Sequence, residues 1–155
     1  MPLYKHTQIG YMVIIPLIIT LVVAGALPHS TMPFIVLPLV VLGLILIIVL
    51  FVSLTVEVTE EHLKFWFGIG IIHKRVCISD IESCKRTRTF LPGWGIDLTR
   101  RGWRYNVSGF NLVEITLKNG KRFLLGTDEV EDLTSALTKA LLRSTKNIQH
   151  RVRQS

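Results

Sequence analysis

Acidic residues are missing from the first 56 positions, and Lys5 is the only Lys or Arg among them. That absence removes any proton relay or ion site from the two long apolar runs there, and with it a transporter reading. Cysteine is scarce as well. Cys77 and Cys84 are spaced for no zinc or redox motif, so both are expected as buried strand residues in a reducing compartment. The five histidines stand singly at 6, 29, 62, 73 and 150, without metal-ligand spacing. Gly68-Ile69-Gly70 lacks the third glycine of a phosphate loop and reads as a turn. Nothing orders a serine, a histidine and an aspartate as a triad. No recognition-helix or zinc-finger pattern points to nucleic acid. The sequence therefore offers no catalytic residue, no metal ligand set and no cofactor site, and an enzyme is not expected.

What is present is two uncharged apolar runs, residues 9–27 and 34–56, followed directly by a basic segment. As helices they would reach roughly 28 and 34 Å at 1.5 Å per residue, enough for a hydrocarbon core of about 30 Å. Pro16 and Pro38 would bend these helices. The reading is a transmembrane hairpin over residues 1–56 with a short connection at 28–33. Lys5 and the cations beyond the second run put both termini in the cytoplasm by the positive-inside bias, which makes this a multi-pass membrane protein. A rival reading takes Lys5, the first apolar stretch and Ala24-Gly25-Ala26 as a cleavable secretory signal; the long run and weakly charged start argue against it.

The 155-residue chain has net charge +7 and mean hydropathy +0.45. Beyond Val56 lie 17 of its 18 Lys and Arg and all 11 acids. Such a basic surface suits an anionic leaflet, at roughly 1 kcal/mol per nearby cation. Polar/apolar alternation begins at Thr55-Val56-Glu57-Val58 without a linker and continues through Leu63, Phe65 and Phe67. Ile72, Val76 and Ile78 mark a third strand, interleaved with Lys74 and Cys77, and Ile81–Thr87 a fourth. Val113, Ile115 and Leu117 alternate ahead of Asn119-Gly120, a strong hairpin signal with Lys121–Leu125 as the return strand. Asp128 is placed as the N-cap of a helix whose stripe is Val130, Leu133, Leu137, Ala140 and Leu141. The domain is bounded at 57–145, with a basic tail at 146–155.

Residues 88–110 do not read as regular strands. Gly93, Gly95, Gly102 and Gly109 punctuate aromatic residues, and four arginines face the single acid Asp97. The runs Gly93-Trp94-Gly95-Ile96 and Arg101-Gly102-Trp103-Arg104-Tyr105-Asn106-Val107-Ser108-Gly109, followed by Asn119-Gly120-Lys121-Arg122 and Leu125-Gly126-Thr127-Asp128, resemble the bacterial pleckstrin-homology-like membrane proteins with two N-terminal transmembrane helices. The resemblance implies a bacterial inner-membrane location and a membrane-anchored α+β fold: a two-helix transmembrane hairpin, then a pleckstrin-like bent antiparallel sheet or open barrel capped by a C-terminal helix. It implies little about activity. Thr59-Glu60-Glu61-His62 stands where lipid-binding relatives cluster cations, so that site is not carried over.

Trp94, Arg100, Arg101, Trp103, Arg104 and Tyr105 are the candidate binding residues. One reading has them gripping anionic phospholipid headgroups at the bilayer; another packs the tryptophans on the sheet and leaves the arginines solvated or paired internally; a third makes them protein-interface anchors. The leading functional expectation is an interaction or scaffold module at the cytoplasmic face, partnered by the bilayer and by a protein or a second copy. An anionic-lipid module is the alternative, and an accessory subunit of a membrane enzyme the third.

Overall fold

A computed structural model describes residues 2–26, 35–90, 93 and 95–154, with side chains described as far as residue 146. Sheet pairing takes the ends of both apolar runs. Tyr4–Ile9 forms β1 and Ser53–Val58 forms β2, antiparallel neighbours with Tyr4 opposite Val58 and Ile9 opposite Ser53. Leu54, Val56 and Val58 point to one buried face, which is the period-two pattern of a paired strand. Helices α1 (Tyr11–Ala26) and α2 (Val36–Phe51) form an excursion between those two strands, and the Gly10 N–H bonds the Val52 carbonyl at 2.8 Å where the chain leaves and rejoins the sheet.

Each of these helices has 16 residues, about 24 Å of rise against a hydrocarbon core of about 30 Å. Among the described residues no helix is long and apolar enough to cross a membrane. The transmembrane hairpin is therefore corrected, and so are the membrane-anchored fold class and the multi-pass, inner-membrane placement that depended on it. The described residues form an α+β fold of two sheets and three helices. The physical reason is that Ile9 and residues 53–56, counted into the spans, satisfy their backbone groups in a strand ladder instead. The connection at 28–33 lies outside the described residues.

Strands β3 (His62–Phe67) and β4 (His73–Cys77) complete the first sheet, in the order β1-β2-β3-β4. A 3₁₀ turn at Ile78–Asp80 leads to the second sheet: β5 (Ile81–Arg88), β6 (Gly95–Thr99), β7 (Gly102–Asn106), β8 (Asn111–Leu117) and β9 (Arg122–Gly126), in the order β5-β8-β9-β7-β6. All pairings are antiparallel except β7 with β9. The segment expected to be irregular thus contains a regular β6–β7 hairpin. Asn119 and Gly120 turn between β8 and β9, with Gly120 at φ +78°.

Helix α3 (Val130–Gln154) packs on β5, the 3₁₀ turn, β2, β8 and β1. Val130, Leu133, Leu137 and Ala140 are buried at helical spacing against Phe65, Ile115 and Phe123 of the common core; each buried leucine or phenylalanine contributes about 1.5–3 kcal/mol. The backbone expected as a tail from 146 continues this helix to 154. Asp128 does not cap it: its carboxylate meets His6 Nε2 at 2.8 Å, while Thr127 Oγ1 accepts the Glu129 N–H at 3.1 Å. The cysteines are corrected too. Cys77 is exposed because the parity of β4 turns Val76 inward, and Cys84 is half-buried.

Candidate functional site

The β6–β7 hairpin carries most of the candidate residues, and its alternation separates them. Asp97 lies opposite Arg104, while Ile96 lies opposite Tyr105 and Leu98 opposite Trp103. Arg104 therefore faces away from the two aromatics beside it. Its Nε and Nη2 donate to the two Asp97 carboxylate oxygens at 2.7 and 2.6 Å, a bidentate, charge-assisted pair, and Nη1 donates to Thr89 Oγ1 at 3.3 Å. Gly93 admits this guanidinium, since a Cβ there would collide with it. Arg104 is thus an internal clamp of the hairpin.

Arg100 and Arg101 are exposed at the hairpin turn. Thr99 Oγ1 shapes that turn by donating to the Gly102 carbonyl and accepting the Arg101 N–H, at 2.8 and 3.2 Å. Arg101 Nη1 donates to Thr87 Oγ1 at 3.0 Å. Together with Arg88, Thr87, Thr89 and Thr99 these arginines line a depression of about 250 Å³ on the outer face of the second sheet. Asp97 balances Arg104, and Glu114 sits 3.9 Å from Arg101 and 3.7 Å from Arg122, so cations exceed acids here.

Trp103 and Tyr105 line a different space. The β4 edge of one sheet and the β6–β7 hairpin of the other border a cleft of about 310 Å³, walled by Phe65, Phe67, Ile72, Ile96, Trp103 and Tyr105 with His73 and Lys74. Phe65 stacks on Phe123 at 5.8 Å between ring centres and meets Tyr105 edge-on at 4.9 Å. Lys74 lies opposite Phe65 in the β3–β4 register, and its amine sits 5.1 Å from the Tyr105 ring centre and 4.6 Å from that of Phe123.

The six expected residues thus divide. Arg100, Arg101 and Arg104 share the outer depression, Trp103 and Tyr105 belong to the cleft, and Trp94 lies outside the described residues. Thr87 and Arg88 of β5, Thr89 just beyond it and Lys74 of β4 were missed. Lys74 had a signal, for it shares strand parity with Ile72 and Val76 and so occupies a core-facing position. The run Gly102–Gly109 has a structural explanation in Asn106, which is buried. Its Nδ2 donates to the Gly93 and Gly109 carbonyls at 2.9 and 3.1 Å, and its Oδ1 accepts the Ser108 N–H at 3.2 Å.

Among the described residues no group of three His, Cys, Asp or Glu side chains is placed to hold a metal ion. The resemblance to bacterial pleckstrin-homology-like proteins with two transmembrane helices is corrected. Its defining pair of membrane-crossing helices is not found among the described residues, and no family model, curated protein or solved structure matches the chain.

Proposed function

We propose that this chain is a non-catalytic interaction module that assembles with further copies of itself through the α1–α2 hairpin. One observation carries the reading. Both helices expose large apolar side chains along their length, among them Ile15, Ile18, Ile19, Val22, Leu39, Leu42 and Leu46, with Val22 65% and Leu42 63% accessible. A contiguous apolar surface of that kind marks an interaction site, unlike hydrophobic residues scattered singly. The root of the hairpin supports it further, because Val13 is buried and Phe51 packs edge-on against Phe67 at 5.6 Å. A surface held this firmly to the sheet meets its partner at little ordering cost. The test is the mass of the full chain in detergent-free solution beside a Leu42→Glu/Leu46→Glu variant. The parent is expected as one defined multimer and the variant as a monomer; a monomeric parent, or a multimer indifferent to the substitutions, contradicts the reading.

A second reading is recognition of an anionic phospholipid headgroup at the outer depression. The convergence of Arg88, Arg100 and Arg101 with three threonine hydroxyls favours it. Arg104 contributes less than the sequence suggests, being neutralised by Asp97. Flotation with phosphatidylglycerol vesicles should fall at least about tenfold for Arg100→Glu/Arg101→Glu. Unchanged flotation dismisses it.

A further inference from the structure

The geometry points to a small-molecule site in the cleft between β4 and the β6–β7 hairpin, and we propose that it takes a free carboxylate with an apolar body, with Lys74 as the anion-binding residue. Lys74 is half-buried at a core-facing position, with Val76 two residues on in β4 and Ile72 just before that strand. Its ammonium has three donors. Among the described residues a single protein acceptor is within reach, the Tyr105 hydroxyl at 3.4 Å, a long contact. Among the described residues it forms no ion pair, and its remaining partners are the faces of Tyr105 and Phe123. A half-buried cation with donors to spare favours an anion supplied from outside.

The surroundings define the rest of the ligand. Among the described residues no Asp or Glu lines the cleft, nor the adjoining cavity of about 500 Å³ that runs over the β4 edge past Lys64 and Arg75. The local field is therefore positive without a competing carboxylate. The walls are apolar: Phe65, Phe67, Ile72 and Ile96 line one continuous surface, and Trp103, 49% accessible, stands at the mouth. At about 310 Å³ the cleft falls at the small end of ligand pockets, which pair apolar walls with a few polar groups. A phosphate alone would leave those walls unfilled, and a neutral hydrocarbon would leave the amine without its counter-charge. An alkyl or aryl carboxylate satisfies both.

The experiment titrates the full chain with sodium octanoate, 1-octanol and sodium acetate, following side-chain resonances of Phe65 and Tyr105. Octanoate is expected to bind saturably at the cleft, at least about tenfold more tightly than either 1-octanol or acetate. Lys74→Met keeps the apolar stem and removes the charge; it should weaken octanoate at least about tenfold while leaving 1-octanol unchanged, and Lys74→Arg should restore most of the loss. Octanoate shifts confined to the hairpin helices, binding indifferent to Lys74→Met, or acetate binding equal to octanoate each overturns the assignment. None of these readouts depends on self-association through α1 and α2, so the two proposals fail separately.

Discussion

Tyr4 shows how a single side chain ties β1 to the start of α3. Its hydroxyl donates to the Glu129 carboxylate at 3.1 Å. Burial pushes the phenol well above its ordinary value, and the Glu129 carboxylate reinforces that shift. The folded chain thus keeps this proton at pH values where the unfolded chain, with a phenol near pH 10, releases it. Stability from this group is complete below about pH 10 and is lost as pH climbs through the raised folded value. Tyr4→Phe should therefore show a shallower decline in urea midpoint than the parent between pH 10 and 12; parallel declines would refute the coupling. Residue-level roles were legible only in part. The parity that Lys74 shares with Ile72 and Val76 would place a lysine on the inner face, a signal that reading Lys74 only as interleaved with the apolar residues passes over. The division of Arg104 from Trp103 and Tyr105 needed a strand that glycine punctuation at 93, 95, 102 and 109 disguised as loop.

At the scale of elements, the junction between helices and sheet rests on Gly68. It has φ +45°, its N–H bonds the Ser53 carbonyl at 2.9 Å, and a Cβ would run into the Val49 and Leu50 carbonyl oxygens of α2. Gly68→Ala should cost about 2–4 kcal/mol, combining left-handed strain with a backbone collision. Gly120→Ala, where φ is +78° but the space is open, should cost about 1 kcal/mol. Urea unfolding of both variants checks this; equal losses would mean that α2 does not press on the β3 turn as described. Alternation at Leu63–Phe67 and at Val113–Leu117, the Asn119-Gly120 turn and the α3 stripe were all readable because local pattern and tertiary packing agree there. The two apolar runs misled because composition does not mark where a helix yields to a strand: Leu54 and Val56 suit either, and only pairing with β1 and β3 decides. The 4–9 strand was missed for the same reason, since its partner is some 50 residues away.

For the whole molecule, the arrangement is a two-sheet core closed by α3, a basic depression and an aromatic cleft on the second sheet's hairpin, and a rigidly rooted apolar hairpin left uncovered. Neither the helical excursion between adjacent strands nor the parallel β7–β9 pairing has a local sequence signature, because both depend on contacts between distant segments. Self-association through α1 and α2 is the claim on which the functional account turns. Photo-cross-linking from a reactive group placed at position 42 of the full chain tests it at the contact itself. The account predicts adducts joining position 42 to the α1 or α2 helix of another copy, abolished when Leu46 is replaced by Glu. Adducts confined to added lipid, or to the same chain, would contradict it.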